Sequence, residues 1–284
     1  KPANHEQIIE EINFLKEGDY QLLQSKNYKV FLVTAEKIPN ILHEIGRLRE
    51  ITFREVGEGT NEAIDLDKFD EYYHHMFLWD DDAQMIAGAY RMGFGSKIFP
   101  KYGLEGFYLN ELFKFEPELN DMMGQSIEMG RAFIIKEYQQ KPMPLFLLWK
   151  GIVHITLRYP EYKYLMGGVS ISNQFSDFSK SLMIEFMKSH YYDPYIAQYI
   201  QPKKEFKVKL KDADKDFVFD AAKADMQKFD KVIEYFNNRQ DISKIFVIGG
   251  AQIYKLGLNS KYLRYLYITE LTSKINLSNP GNYI

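Results

Sequence analysis

The 284-residue sequence contains no cysteine. It therefore forms no disulfide bond, no cysteine-ligated zinc or iron–sulfur site and no thiol nucleophile, and it fits a reducing compartment. The net charge of −3 is too small to indicate a field that binds nucleic acid. No secretory signal opens the chain, and the longest apolar run, Met143 to Leu157, is interrupted by Lys150 and His154. We therefore expect a cytoplasmic protein.

The stretch from Ser126 to Pro160 reads as a strand, a loop and an apolar helix. The loop, Lys136 to Pro144, lacks the glycine spacings of the P-loop and of the Rossmann fingerprint, which removes the usual support for nucleotide hydrolysis and dinucleotide binding. A strand that leads through a loop into a helix can still present backbone N–H groups to an anion. The sequence therefore predicts a phosphate-bearing substrate at this loop.

Hydrophobic periodicity predicts an α/β fold with a mixed, mainly antiparallel central sheet flanked by helices. Pro39 begins the second helix, an acidic turn joins a β-hairpin, and a strand–helix–strand crossover adds a parallel pair. The predicted helices cover residues 5–15, 41–52, 145–157, 178–190 and 221–237. The predicted strands cover residues 28–34, 75–79, 85–92, 126–135 and 164–170.

The length suggests one large domain or two small ones. We divide the chain into a main domain at residues 1–240 and an atypical C-terminal segment at residues 241–284. We expect the Lys/Asp-rich stretch Lys203 to Asp216 to be a mobile surface excursion. The chain begins with Lys1 rather than Met, as a piece of a longer polypeptide would.

Six ordered phrases resemble the hemolysin-like branch of the GNAT acyltransferases, which is similar to the ornithine and glycine N-acyltransferases that use acyl-acyl carrier protein and, more distantly, to acyl-homoserine-lactone synthases. The resemblance covers about residues 8–236. The phrases are ITFREVGEGT (51–60), DLDKFDEYYHHMFLWD (65–80), GAYRMG (88–93), SIEMGRAFI (126–134), EYQQKPMPLFLLWKGI (137–152) and YLMGGVSIS (164–172).

The resemblance implies transfer of a long acyl chain from a phosphopantetheine thioester to the amine of an amino acid such as glycine or ornithine. No bound cofactor or metal is implied, and the co-substrate is acyl-acyl carrier protein or acyl-CoA. The loop departs from the Q/R-x-x-G-x-G/A pattern of acetyl-CoA-using relatives, which favours the carrier protein as donor and partner. The lipid product also suggests contact with the inner face of the membrane, with Tyr191 to Tyr199 as a contact loop.

Glu128 is the leading candidate for a carboxylate that orients the acceptor or takes its proton, because the resemblance places this acid at the cleft. Arg131 is the second catalytic candidate. An ion pair between Glu128 and Arg131 that ties adjacent strands is the structural alternative. His75 is a weaker candidate base, since a lone histidine beside aromatic residues is more often packed or hydrogen-bonded, and adjacent His74 points to the opposite face if both are extended.

Arginine side chains offer planar forks of donors for an acceptor carboxylate or a donor phosphate, although surface arginines are often simply solvated. Three acids resemble the acidic positions of the acyl-homoserine-lactone relatives; their spacing does not fit a calcium-binding EF-hand loop. The candidate acceptor-binding residues are Arg54, Asp65, Asp67, Asp70 and Arg91. The candidate acyl-donor residues are Phe133, Ile135, Gln139, Leu145 and Trp149, and an apolar helix at this position can also be ordinary core.

The segment Lys244 to Leu271 resembles the C-terminal fragment of dihydrofolate reductases, without the pterin-binding part that a reductase needs. A gene fusion or assembly error, a chance likeness and a remnant used for packing remain open. The main alternative function is a non-catalytic accessory domain of a larger phospholipid or lysophospholipid acyltransferase, and a folate- or nicotinamide-linked oxidoreductase is a distant second.

Overall fold

The computed structural model of the protein describes residues 2–171 and 175–207. The chain divides into two compact units, one of residues 1–172 and 198–204 and the other of residues 173–197 and 205–284. The first unit contains the central sheet. The predicted helix at residues 221–237 and the segment that resembles a reductase fragment lie outside the described residues, as does most of the predicted surface excursion.

The strands of the described residues all belong to the first unit. They are β1 (Gln21–Ser25), β2 (Tyr28–Thr34), β3 (His74–Asp80), β4 (Met85–Phe94), β5 (Phe113–Phe115), β6 (Ser126–Ile134), β7 (Tyr164–Met166) and β8 (Ile200–Pro202). The α-helices of this unit are α1 (His5–Glu17), α2 (Pro39–Glu55), α3 (Gly95–Tyr102), α4 (Leu109–Leu112), α5 (Asn120–Gly124), α6 (Lys136–Gln139) and α7 (Pro142–Arg158).

Six strands form the central sheet in the order β1-β2-β3-β4-β6-β7. Neighbours from β1 to β6 run antiparallel, whereas β6 and β7 are parallel and joined by α7. The predicted hairpin, the crossover and the mixed, mainly antiparallel sheet are therefore confirmed. A separate two-stranded ribbon pairs β5 with β8.

The two long helices cover opposite faces of the sheet. Alternation along β3 sends Met76 towards α7, where it lies against Gly151, and sends His75 towards α2. A Cβ on Gly151 would lie 2.9 Å from the Met76 sulfur, so a glycine lets α7 pack closely on the strands. The side chains between the layers form one continuous core.

The connection between β6 and α7 differs from the predicted loop at residues 136–144. Lys136–Gln139 forms a helical turn, and α7 begins at Pro142 rather than near residue 145. Proline suits the first position of a helix because its fixed φ is already helical and its missing N–H has no partner there. The hydrophobic pattern located the middle of the helix and missed its proline-rich first turn.

The predicted strand at residues 164–170 is also too long, because β7 ends at Met166. Two glycines follow. A Cβ on Gly167 would lie 2.5 Å from the Met129 carbonyl oxygen, so the backbone passes close to β6 there and then leaves the sheet. Strand pairing ends where this close approach occurs.

The described part of the second unit is helical. Helix α8 (Asp177–Tyr191) begins at the Ser176 cap, whose hydroxyl accepts a hydrogen bond from the Ser179 N–H at 3.1 Å. Helix α9 (Pro194–Ala197) follows. The predicted aromatic loop Tyr191 to Tyr199 therefore contains a helical turn.

Candidate active site

Strand β6 carries a β-bulge at Arg131. On β4, Ala89 and Arg91 pair with Phe133 and Gly130, so two residues of β6 oppose the single residue Tyr90. The backbone of Arg131 has φ of 50°, in the left-handed region. A bulge leaves its extra residue outside the hydrogen-bond ladder. Backbone polar groups at this point of β6 are therefore available to another partner.

Strands β6 and β7 pair over three residues only, and the last pair is Glu128 with Met166. Beyond it, the bulged half of β6 pairs with β4 on one side, while its other edge has no strand partner within the described residues. An extended ligand can approach this free edge. The sheet therefore opens beside Arg131.

An apolar pocket of about 150 Å³ lies next to the bulge, on the α7 side of the sheet. The sheet lines the pocket with Tyr90, Ala132, Phe133 and Ile134. Helix α7 lines it with Leu145 and Leu148. This apolar lining suits a hydrocarbon group of a ligand rather than a charged group.

The structure brings together two of the five predicted donor residues, Phe133 and Leu145, at this pocket. Ile135 is buried in the core, and its N–H donates to the Ala87 carbonyl at 3.1 Å. Gln139 donates from Nε2 to the Ile134 carbonyl at 2.9 Å, which secures the end of β6. Trp149 does not line the pocket and is 55% exposed on the outer side of α7.

A network of charged side chains occupies the opposite face of the sheet, between α2, β4, β6 and the loop at residues 56–73. Arg49 binds Asp70 through two hydrogen bonds of 3.0 and 2.8 Å. Its Nε lies 3.0 Å from Asp65 Oδ2, close enough for charge attraction although the N–H is not aligned for a hydrogen bond. Arg91 donates to Asp67 at 2.6 Å and to Asp70 at 3.0 Å. These charges neutralise one another.

Local turns hold the acidic loop in position. Asp67 accepts from the Phe69 N–H at 2.9 Å, and Asp70 accepts from the Asp67 N–H at 2.9 Å. The Asp65 N–H donates to the Gly46 carbonyl at 3.0 Å. A Cβ on Gly46 would lie 2.7 Å from Leu66, so glycine is what allows this loop to approach α2.

The carboxyl of Asp70 is strongly ionised. Burial alone would raise its pKa, but the hydrogen bonds and charge of Arg49, together with the charge of Arg91, hold the pKa far below its ordinary value. Asp70 is therefore a fixed anion that organises two arginines.

Arg131 is the accessible arginine of this network. Arg49 and Arg91 are 1% and 2% exposed, whereas the Arg131 side chain is 20% exposed. Its ion pairs are longer, at 3.4 Å to Asp65 and 3.6 Å to Asp67, and its Nε has no hydrogen-bond partner within the described residues. Arg131 therefore retains donor capacity at the opening of the sheet.

Arg54 lies apart from the other predicted acceptor-binding residues. It pairs with Glu50 at 2.6 Å and is 53% exposed. Glu50 also accepts from the N–H groups of Thr60 and Asn61 at 2.8 and 3.0 Å. Burial would raise the pKa of Glu50, but these hydrogen bonds lower it to about 2. This cluster anchors the start of the acidic loop.

Glu128 is buried, and its carboxylate accepts three hydrogen bonds. Oε2 accepts from the Tyr73 hydroxyl at 2.5 Å and from the Tyr108 N–H at 3.0 Å, and Oε1 accepts from the Leu109 N–H at 2.8 Å. The structural alternative of a Glu128–Arg131 ion pair is wrong, because Arg131 pairs with Asp65 and Asp67 instead. Burial raises the pKa of Glu128, against the opposing effect of these hydrogen bonds.

His75 is also buried, and its Nε2 lies 2.9 Å from the Asp70 carbonyl oxygen. Because a carbonyl only accepts, Nε2 carries the proton and donates it. Burial lowers the pKa of His75 to about 4, despite the charge of Asp70. His75 is thus a neutral side chain that supports the acidic loop. His74 points to the other face, as expected, and its ring packs against Phe94.

Sequence reasoning missed three residues of this site: Arg49, Tyr73 and Tyr108. Arg49 is outside the predicted acceptor-binding set, yet its spacing from Ile41 and Ile45 places it on the buried face of α2. Tyr108 presents its ring to the guanidinium groups of both Arg91 and Arg131, at 5.2 and 5.1 Å. No local pattern marks Tyr73 or Tyr108, because tertiary folding creates their contacts.

Across residues 2–171 and 175–207, no group of three or more His, Asp or Glu side chains is arranged to hold a metal ion. In the same ranges, no helix is long and apolar enough to cross a membrane.

A mixed sheet that opens beside a bulged strand, with a helix crossing over to the next parallel strand, is the architecture of the GNAT acyltransferases. Residues 48–149 match the family described as acetyltransferase (GNAT) domain. Residues 48–149 therefore carry a GNAT acetyltransferase domain, as the sequence resemblance indicated.

Two relatives, both named glycine N(alpha)-acyltransferase, match the chain. The protein from Bacteroides thetaiotaomicron is 29% identical over 204 residues, which cover 68% of this chain and 60% of the relative. The protein from Phocaeicola vulgatus is 30% identical over 176 residues, which cover 58% of this chain and 54% of the relative. The chain thus spans little more than half the length of these relatives. No solved structure matches it significantly.

Proposed function

We propose that the protein transfers a long acyl chain from the thioester of acyl-acyl carrier protein, or of acyl-CoA, to the amine of glycine. The open edge of β6 beside an apolar pocket is the observation that carries this proposal. The names of the two relatives support glycine as the acceptor.

The reaction joins the glycine nitrogen to the acyl carbon and breaks the bond between that carbon and sulfur. The amine must be uncharged when it attacks, it loses a proton as the amide forms, and the thiol leaves protonated. No covalent enzyme intermediate and no redox partner is required. The protein needs to align the two substrates and stabilise the oxyanion that develops on the thioester.

The bulge supplies donors for that oxyanion. Around Arg131 the backbone leaves the regular ladder, so an N–H group there can point towards the thioester carbonyl. Because the bulge is fixed between paired segments of β6, such a donor is held in place before the substrate arrives.

Arg131 is the residue we assign to the carboxylate of glycine. Its partly exposed side chain and long ion pairs leave its guanidinium capacity for a bidentate contact. The Tyr108 ring packs on its guanidinium and restricts its orientation. Arg91 and Asp70 hold the surrounding charges, and Arg54 lies outside the site.

Glu128 acts in this proposal through the elements it holds. Its carboxylate fixes the Tyr73 hydroxyl and the N–H groups at the start of α4, and this segment carries the Tyr108 ring that lies over Arg131. Tyr73 is 1% exposed and Glu128 is 3% exposed, so neither side chain meets the amine directly and Glu128 is assigned a positioning role. His75 is too enclosed to meet the amine.

The acyl donor enters along α7. Phe133 and Leu145 contact the first part of the acyl chain at the pocket. Two of the first three residues of α7, Pro142 and Pro144, have no N–H, which weakens the predicted capture of phosphate by the helix end. The exposed lysines Lys136 and Lys141 are better placed to attract the phosphopantetheine phosphate or an acidic carrier protein.

The test is an intact-mass assay of the purified full chain with palmitoyl-acyl carrier protein or palmitoyl-CoA and a pool of amino acids. We expect N-palmitoylglycine. Arg131→Gln should raise the KM for glycine about tenfold or more, with a smaller change in kcat, because a ground-state contact is lost. Arg54→Gln is the matched control and should behave as the unmodified protein.

Glu128→Gln tests the positioning role. We expect kcat to fall while the KM for the acyl donor stays unchanged. A normal rate with this variant would remove Glu128 from the mechanism. Absence of product with every donor and acceptor would overturn the proposal and favour the accessory-domain alternative, in which acyl-carrier binding persists without turnover.

A further inference from the structure

Helix α7 has apolar side chains on its outer side as well as on its inner side. The inner side is buried in the core through Leu147, Leu148, Ile152 and Ile155. The outer apolar side chains form a stripe, named here the α7 stripe, which is 50–75% exposed. Its members are Leu145 (50%), Phe146 (59%), Trp149 (55%), Val153 (52%) and Leu157 (75%).

A helix with apolar residues on all sides is normally enclosed by other protein or by lipid. The members of the α7 stripe follow helical spacing along about 18 Å of the axis, at about 1.5 Å per residue. They therefore form one continuous surface rather than scattered exposed residues. Such a surface indicates a partner.

Charge decides which partner fits. Helix α7 contains no Asp or Glu, and the basic residues Lys150 and Arg158, with Lys141 just before it, border the stripe. Arg158 is paired with Asp19, and Lys141 lies over the Tyr138 ring. Tryptophan and other apolar side chains beside lysines are the composition of helices that lie in the interface of an anionic bilayer.

Position relates this surface to the acyl site. Leu145 lines the apolar pocket and also begins the α7 stripe. Hydrocarbon that leaves the pocket therefore meets an apolar path along the outside of α7. A pocket of about 150 Å³ is small for a long acyl chain, so part of such a chain must lie elsewhere.

We infer that the α7 stripe is a membrane-docking surface, which inserts into the interface of an anionic bilayer and places the mouth of the acyl pocket against lipid. The inference deepens the proposed function and rests on it only for the delivery of a fatty product into the bilayer. The binding itself needs no substrate. A protein carrier is a weaker fit, because the stripe offers mostly hydrocarbon and few charges.

Tryptophan fluorescence provides a direct measurement. The chain has two tryptophans, and Trp79 is 1% exposed whereas Trp149 is 55% exposed. A change in emission on binding therefore reports Trp149. The full chain, without substrate, is titrated with vesicles of phosphatidylglycerol and phosphatidylcholine, and with vesicles of phosphatidylcholine alone. We expect a blue shift and quenching by brominated lipid with the anionic vesicles, and weaker binding at high salt.

Three variants separate the contributions, with binding measured by co-sedimentation. Phe146→Gln with Val153→Gln should weaken binding about tenfold, because two inserted apolar groups are lost. Lys150→Gln should weaken it about fivefold. Ile51→Gln changes an exposed apolar residue on α2 and should leave binding unchanged.

Several results would overturn the inference. These are no shift with any vesicle, equal binding of the double variant, a shift that requires acyl carrier protein, and a shift that follows protein concentration alone. Acyl transfer to glycine is assayed separately with a short-chain, water-soluble thioester. Intact acyl transfer without vesicle binding would refute the docking surface and leave the proposed function standing. Vesicle binding without acyl transfer would support the docking surface and refute the proposed function.

Discussion

The two faces of the central sheet differ in the kind of side chain that they bury and in the contacts that those side chains make. Towards α2, buried arginines and aspartates pair with one another, and Arg49, Arg91 and Asp70 are each at most 2% exposed. Towards α7, the core is apolar, and further apolar groups remain on the outside of the helix. The buried charges of the first face are paired with one another and Arg131 is partly exposed, whereas the outer apolar side chains of α7 are exposed to solvent. Stability should therefore be most sensitive to the buried ion pairs, and lipid binding to the exposed side chains of α7.

The strongest test of this contrast is to remove a partner from the closed network. Asp70→Asn leaves Arg49 and Arg91 without their shared anion in a buried site, which typically costs 3–5 kcal/mol. We expect a large fall in the free energy of unfolding, measured by urea titration. Glu111→Gln, which breaks the exposed pair with Lys68, is the control and should leave the midpoint unchanged. An unaltered midpoint for Asp70→Asn would show that the network is not a stability element.

The next test compares neighbouring residues on the two sides of α7. Leu148→Ala removes a fully buried side chain and should cost about 2–5 kcal/mol. Trp149→Ala removes a larger side chain from the exposed side and should change the free energy of unfolding by no more than about 0.5 kcal/mol. Both are measured by urea titration. Equal losses would mean that the outer side of α7 is enclosed.

A smaller effect is expected from pH. His75 has a pKa of about 4 in the folded protein and about 6.5 when unfolded. Between these values the unfolded chain binds a proton that the folded protein does not, so stability falls as the pH decreases from about 6.5 to 4. One group contributes at most about 3 kcal/mol over this window. His74, whose pKa is lowered by burial and by Lys97, acts in the same direction.

The measurement is the midpoint of thermal unfolding at a series of pH values. His75→Gln keeps a donor for the Asp70 carbonyl and should reduce the slope between pH 6.5 and 4. The same slope in both proteins would show that burial of His75 does not control acid stability.

Much of the fold was predictable because periodicity and proline position are local signals. Local signals over a few residues specify the apolar runs of β3 and β4, the apolar centre of α7 and the start of α2 at Pro39. Helices α3, α4 and α5 were missed because they are short and depend on packing rather than on a repeating pattern. Local patterns are weakest where the chain turns often.

The candidate site was predictable in composition more than in arrangement. The phrases around Asp65, Arg91 and Glu128 identified residues that lie near β6. They did not indicate which of these side chains form ion pairs or hydrogen bonds with one another. Arg131 lies beside two aspartates that are distant in sequence, and Glu128 is bound to the segment at residues 108–109. These pairings depend on the loop at residues 56–73 and on the bulge, which are set by the whole sheet.

The bulge at Arg131 has a consequence for protein engineering. A residue with a side chain is strained by about 1–2 kcal/mol at a φ of 50°, and glycine would adopt this conformation more easily. A redesign that ranks sequences by stability alone would therefore favour glycine here and remove the guanidinium that we assign to the acceptor. Position 131 is thus one where thermostability and the proposed acceptor recognition compete, and a stabilised version of this protein should keep its arginine fixed.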